Sequence, residues 1–248
     1  MQTLVTNFNR VSGWASKSVR RRGLLKTAKI AGSSITDLYF DWRFGTDTRG
    51  KLHWSLFEEH LANRQRAVSY QPTKARPFLK LLKELRLPEG STFVDVGSGK
   101  GKVLLLAAQQ NQNRFKRVVG LEFSATLCVQ ARKNIDIFLA KGKILAPIEV
   151  VQGDVTQHTL AGDENVFFLY NPFDGVILAE FLNVIRQSLV HYPRPIWLVY
   201  SVPVHAAVVD NSRLFTLSRT LNLAGNDVYV YATVEAVSGQ ARGASAGG

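Results

Sequence analysis

The most constraining feature of the chain is a short apolar run that leads directly into a glycine cluster, Phe93-Val94-Asp95-Val96-Gly97-Ser98-Gly99-Lys100-Gly101-Lys102. A strand-type run, glycines at alternate positions and then helix formers predict a buried strand, a tight turn and a helix N-terminus. Glycine in such a turn lets the backbone approach a ligand closely, and the helix start presents amide N–H groups to it. The chain around it must therefore supply a sheet that buries the strand on both faces.

The rest of the sequence supplies that sheet. Thr92 to Val96, Arg117 to Glu122, Ile148 to Gln152, Val166 to Tyr170 and Ile196 to Val202 read as buried strands. Helical stretches at about 100 to 112, 124 to 140 and 175 to 191 lie between them, the last with Ile177, Leu178, Phe181, Leu182, Ile185 and Leu189 on one stripe. Strands alternating with helices form βαβ units and hence a parallel sheet with both faces covered. Two further runs, Arg213 to Leu221 and Asp227 to Val237, are separated only by Asn222 to Asn226, too short for a crossover helix. They predict an antiparallel hairpin added to the sheet. Ahead of the glycine turn, Pro72 and Pro77 interrupt the chain, and Phe78, Leu81, Leu82 and Leu85 mark one face of a helix ending before Pro88.

Spacing excludes two common phosphate sites. A dinucleotide fingerprint requires its third glycine where this chain has Lys102. A P-loop ending at Gly99-Lys100 would require glycine at Val94 and Ser or Thr at Gly101. Asp95 would also repel a pyrophosphate, whereas it suits a cationic ligand.

Charge is unevenly placed. The formal net charge is +12, from 31 Lys and Arg against 19 Asp and Glu, yet residues 1–34 carry seven cations and no acid. The segment reads as a solvated helix packed by a weak apolar face through Leu24, Leu25 and Ile30, as a nucleic-acid arm, or as a mitochondrial presequence; it lacks the apolar core of a secretory signal. After it come the aromatic stretch Leu38 to Phe44, the turn-rich Gly45 to Gly50, and Trp54, Phe57 and Leu61 at helical spacing, together expected to cap the main domain. Cys128 is the only cysteine, so no internal disulfide forms, and a reducing, cytoplasmic setting is expected. It falls mid-helix and reads as a small core residue. No apolar run is long enough to span a bilayer. His53, His60, His158, His191 and His205 are scattered without metal-ligand spacing, and no metal is expected.

Asp95-Val96-Gly97-Ser98-Gly99-Lys100-Gly101 resembles motif I of the class I S-adenosylmethionine-dependent methyltransferases. Val118 to Ser124 resembles their second motif, Gln152-Gly153-Asp154-Val155 the strand-three motif and Leu169 to Phe173 the strand-four motif. The resemblance runs from about Tyr70 to Val237. It implies a Rossmann-like, doubly wound, mostly parallel α/β sheet with a C-terminal antiparallel hairpin. It also implies S-adenosyl-L-methionine as cofactor, with Asp95, Gly97, Ser98, Gly99 and Gly101 cradling it. Glu122, followed by Phe123, would bind the ribose hydroxyls, Asp154 and Val155 would meet the adenine, and Asn171 would border the site. Tyr70-Gln71-Pro72-Thr73 resembles an element of the non-SET histone-lysine methyltransferases and related small bacterial enzymes, which implies that Tyr70 and Thr73 close over the methionine end.

Asn171-Pro172-Phe173 resembles the (Asn/Asp)-Pro-Pro-(Tyr/Phe) motif of amino-group methyltransferases with one proline missing. The resemblance implies catalytic roles for Asn171, Pro172 and Phe173 and an amine acceptor, with protein lysine ahead of a nucleobase or small amine. A turn cap at Asn171 and a strand stop at Pro172 are the alternative reading. A nucleic-acid methyltransferase guided by the basic segment, and a non-catalytic binding protein on the same scaffold, are the rival functions. The expected division is a basic helical segment and cap over 1–66, a methyltransferase domain over 67–238 and a disordered tail over 239–248.

Overall fold

The computed structural model describes residues 35–50, 71–85, 87–110, 114–141 and 144–233. The basic segment, Tyr70, the aromatic spacing at Trp54, the boundary near residue 66 and the tail lie outside the described residues, as do His53 and His60.

A helix over 35–44 (α1) and a loop over 45–50 precede the main elements. These are α2 (Ala75–Glu84), β1 (Thr92–Val96), α3 (Lys102–Ala108), β2 (Arg117–Glu122), α4 (Ala125–Lys141), β3 (Ile148–Gln152), β4 (Glu164–Tyr170), α5 (Gly175–His191), β5 (Trp197–Ser201), α6 (Ala206–Asn211), β6 (Thr216–Leu223) and β7 (Asn226–Ala232). The strands form one sheet in the order β3-β2-β1-β4-β5-β7-β6. The first five are parallel, and β7 runs antiparallel to both β5 and β6. The order reverses at β1, between β2 and β4, and in open α/β sheets ligands bind at the carboxyl ends of the strands beside such a switch.

Alternation along the strands builds two apolar layers. Phe93, Val118, Phe168 and Val199 face α2, α3 and α4, while Val94, Val96, Leu121, Leu169 and Leu198 face α5. Burying each large side chain contributes about 1.5–3 kcal/mol. Cys128 is fully buried in α4, and its thiol donates to the Glu122 carbonyl at 3.5 Å. Asp174 starts α5 by accepting N–H bonds from Val176 and Ile177 at 3.0 and 3.1 Å.

Several boundaries differ from the sequence reading for physical reasons. Pro77 does not break the chain; it sits in the first turn of α2, where a backbone N–H has no helical partner to lose. The helix expected from residue 100 begins only at Lys102, because Gly99 and Gly101 adopt left-handed backbone conformations. β4 starts earlier than its apolar run, at Glu164, because Arg117 pairs with Glu164 at 3.1 Å and with Asp163 at 2.6 Å. The Arg117 hydrogen bond holds the Asp163 carboxyl well below the ordinary carboxylate range. The hairpin turn is tighter than the five residues allotted to it. Leu223 pairs with Asn226, and Ala224 and Gly225 alone make the turn with φ of 55° and 87°, the signs of the two-residue turn that matches strand twist. α6 had no reading in the sequence; it is short and follows Pro203, and its Val208 packs beside Gly175 at the start of α5.

No helix among the described residues is long and apolar enough to cross a membrane, and no group of metal-ligating side chains forms among them.

Candidate active site

The turn after β1 depends on glycine for conformation and for space. Gly97, Gly99 and Gly101 have φ of 79°, 55° and 82°. At Gly97 a Cβ would lie 2.8 Å from Pro172 Cβ, so the turn and the strand-four motif are in direct contact. Gly120 plays a similar part on β2: a Cβ there would fall 2.6 Å from Ser98 Oγ and 2.7 Å from Leu104 Cδ1. The turn therefore rests on β2 at close range.

β2 also holds the turn by hydrogen bonds. The N–H groups of Gly97 and Ser98 donate to the Leu121 carbonyl at 2.8 and 3.1 Å. Gly99 N–H donates to Glu122 Oε2 at 2.8 Å, and Ser124 N–H donates to Oε1 at 3.0 Å. Glu122, only 4% exposed, thus braces the turn.

Asp95 shares a sheet face with Glu122, two residues beyond Phe93 on β1. Burial, and then the negative field of Glu122, push its carboxyl well above the ordinary value. No protein donor among the described residues satisfies it. Ser98 Oγ is also buried without a protein partner. A buried carboxylate site beside a second acid, next to backbone amides, fits a ligand with a cationic group and a nucleoside-like diol.

The predicted residues of β3 and β4 sit at the same strand ends. Gly153 N–H donates to the Glu122 carbonyl at 3.0 Å, which brings Asp154 and Val155 beside the end of β2. Asp154 Oδ1 accepts from the Thr156 N–H and hydroxyl at 2.9 and 2.8 Å, so its carboxylate also shapes the turn. Phe123 and Val155 are half-buried. The Tyr170 hydroxyl accepts from the Asn226 amide at 3.4 Å and lies beside the Gln71 side chain, which places Gln71-Pro72-Thr73 near the end of β4.

Asn171 has a φ of 43° and accepts at Oδ1 from the Tyr200 hydroxyl, at 3.2 Å. That hydroxyl in turn accepts from the His205 N–H at 3.3 Å. Phe173 departs from the expectation: its ring is buried in the core, edge-on to Phe181 at 6.4 Å between centroids. Tyr200 was missed by the sequence reading because a tyrosine inside an apolar strand carries no signal of its own.

A polar seam under the turn has no local signal in the turn's own sequence. Lys100 and Lys102, which read as turn and helix-start residues, are 8% and 2% exposed and pair with Asp47 and Asp37. Asp37 and Asp41, four apart on α1, are the signal that could have revealed it. A groove of about 660 Å³ between residues 156–160 and α5 contains His158 and His191, and lies across the sheet from Asp95 and Glu122.

Residues 66–161 match the family model described as histone methylation protein DOT1. No protein with a curated description matches the chain. Among solved structures, a SAM-dependent methyltransferase from Aquifex aeolicus is 17% identical over 64% of this chain and 93% of its own, with a TM-score of 0.50. The pyocyanin biosynthetic protein PhzM is 20% identical at a TM-score of 0.50, over 64% of this chain and 54% of its own, so the chain spans about half its length. An RNA methyltransferase from Salinibacter ruber in complex with S-adenosyl-L-homocysteine is 23% identical over 66% of this chain and 94% of its own, at a TM-score of 0.47.

The sheet order, the glycine turn with Asp95 and Glu122, and the matched segment define a class I S-adenosylmethionine-dependent methyltransferase. The matched residues, 66–161, carry the first three strand motifs.

Two results are expected from the acids at the site. Glu122→Gln sets an amide NH₂ against a backbone donor, and should weaken S-adenosylhomocysteine binding about 10–100-fold in calorimetry while lowering the ligand-free melting temperature only slightly. Unchanged affinity would leave Glu122 as a brace for the turn alone.

The second concerns protons. Because the folded, ligand-free chain holds the Asp95 proton above the ordinary carboxylate range, it binds more protons than the unfolded chain between the ordinary and the raised value. Its stability should fall as pH rises through that window. A bound cation favours the ionised form, so cofactor binding should release a proton and strengthen as pH rises there. Calorimetry in buffers of different ionisation enthalpy reads this directly; proton uptake on binding would contradict it.

Proposed function

We propose that the chain transfers a methyl group from S-adenosylmethionine to an amine held at the end of β4, with protein lysine ahead of a nucleobase or small amine. The observation that carries this reading is the connected set Tyr200, Asn171, Pro172 and Gly97. Tyr200 fixes the Asn171 amide while leaving its oxygen a second lone pair. Pro172 against Gly97 sets that amide beside the cofactor turn. The match of residues 66–161 to the histone methylation model supports protein lysine.

Bound at this site, S-adenosylmethionine supplies an electrophilic methyl on a cationic sulfur and leaves as S-adenosylhomocysteine. The backbone of Gly97, Ser98, Gly99 and Gly101 would cradle it, with Asp95 toward its cationic end and Glu122 and Phe123 toward the ribose. Asp154 and Val155 would meet the adenine, and Tyr70 and Thr73 the methionine end. Asn171 Oδ1 accepts an N–H of the neutral amine and turns its lone pair to the methyl. With the methyl supplied from the sulfur, the nitrogen would gain it as the sulfur–carbon bond is given up and would then lose its extra proton to solvent. Alignment supplies most of the acceleration, so no protein nucleophile is required. A neutral amide suits the task because a carboxylate would hold the amine in its charged, unreactive form. The single buried thiol, Cys128, fits a reducing cytoplasmic setting.

Labelled S-adenosylmethionine incubated with separate pools of cell protein, nucleic acid and small metabolites tests the acceptor. Label recovered as N-methyl-lysine after protein hydrolysis is the expected result. Label confined to nucleic acid would favour the reading in which residues 1–34, with seven cations and no acid, track phosphates.

A further inference from the structure

We propose that α1 and the loop over 45–50 form a clamp that sets cofactor affinity, with Lys100 and Lys102 as positioning residues and Asp47 and Asp37 as their anchors. The inference rests on the cofactor assignment of the glycine turn. Its anchors, Asp37 and Asp47, lie outside the segment matched by the family model.

The contacts are short and enclosed. Lys100 Nζ donates to Asp47 Oδ2 at 2.9 Å and to the Arg49 carbonyl at 3.0 Å. Asn134, fully buried in α4, joins the two partners from the other side. Its amide nitrogen donates to the carbonyls of Lys100 and Asp47, both at 2.9 Å, and its Oδ1 accepts the Asp47 N–H at 2.8 Å. Asp41 Oδ1 accepts from the hydroxyls of Thr46 and Thr48 at 2.8 and 2.7 Å, which fixes the loop in shape. Lys102 Nζ lies 3.3 Å from Asp37 Oδ1. The Asp37 carboxylate also accepts the Ala75 N–H at 2.9 Å and pairs with Lys74 at 3.0 Å. One cap thus grips the glycine turn at Lys100 and Lys102 and, through Asp37, the chain just beyond Thr73.

Both gripped elements are those assigned to the cofactor. The lysines alternate with the glycines, so the backbone that carries the ligand-facing amides is the backbone whose side chains hold the cap. Buried cations without their counter-ions are costly, so loosening the cap must let the turn rearrange. Linkage makes the effect reciprocal: if the cap raises cofactor affinity, the cofactor must stabilise the cap by the same factor.

Asp47 is the clean test, since its side chain is largely exposed while Lys100 is enclosed. In calorimetry on the full chain, Asp47→Asn and Lys100→Met should each weaken S-adenosylhomocysteine binding about tenfold. Asp47→Glu should recover most of the loss, and the ligand-free melting temperature of Asp47→Asn should fall only modestly because Lys100 keeps its bond to the Arg49 carbonyl. Hydrogen exchange supplies a readout that a merely structural role would not move. S-adenosylhomocysteine should slow exchange at the Asp47 and Thr48 amides of the parent chain and do so much less in Lys100→Met. Equal affinity in all these variants, with ligand protection confined to the strand ends, overturns the clamp alone. Failure of the parent chain to bind S-adenosylhomocysteine overturns the cofactor assignment and the clamp together.

Discussion

Asn171→Ala is expected to lower methyl transfer about 10²–10³-fold while leaving S-adenosylhomocysteine affinity nearly unchanged. Under the proposed function the amide is the polar group offered to the acceptor at the end of β4, and its oxygen is held by the Tyr200 hydroxyl at 3.2 Å. Its loss removes alignment of the amine but none of the contacts assigned to the cofactor. Alanine also meets a backbone φ of 43°, which asparagine tolerates better. Asn171→Gly separates the two effects, because it relieves the backbone while still lacking the amide; it should remain as slow as alanine. Asn171→Asp keeps the shape and adds charge, so its rate should recover only at higher pH, where the amine sheds its proton despite the carboxylate. A normal rate in Asn171→Ala would return Asn171 to the role of a turn residue.

Gly97→Ala carries the second large effect. A methyl at this position meets Pro172 Cβ at 2.8 Å, and the backbone stands at a φ of 79°. The left-handed conformation costs about 1–2 kcal/mol for alanine, and forcing the contact apart adds about 1–3 kcal/mol. The sum should appear as a melting temperature lower by roughly 5–15 °C in a chain of this size, with cofactor affinity reduced more than about 100-fold because the turn that presents its amides to the ligand is pushed out of place. Gly90→Ala is the matched control. Gly90 has a φ of 77° but nothing within 4 Å of a Cβ, at the opposite end of β1. It should lose about 1–2 kcal/mol of stability and leave affinity untouched. Equal affinity losses in both variants would show that backbone conformation, and not the Gly97–Pro172 contact, governs the site.

The sequence and the structure agree most closely where one physical rule dominated. β1, β2 and β3 have the bounds read from their apolar runs, and α5 spans the residues of its stripe, because burial on a regular period is a local signal. The hairpin followed from chain length alone, since five residues cannot make a crossover. Disagreement appears where a long-range contact decides. Glu164 enters β4 through Arg117, far away in sequence, and Phe173 turns inward to meet Phe181 on α5. The clamp residues belong to the same kind: nothing near Lys100 in the chain announces Asp47 or Asn134 as its neighbours. The four motif stretches could be placed at strand ends because each is short and local. Their brace could not, because Gly120 matters only through the Ser98 and Leu104 atoms that fold over it.

Calorimetric titration of the full chain with S-adenosylmethionine, S-adenosylhomocysteine, NADH and ATP tests the central claim most directly, because the glycine turn with two buried acids is read as a site for a nucleoside with a cationic group and not for a phosphate. One site for the first two ligands and far weaker binding of the others is the expected result; tight NADH binding without S-adenosylmethionine binding would contradict it.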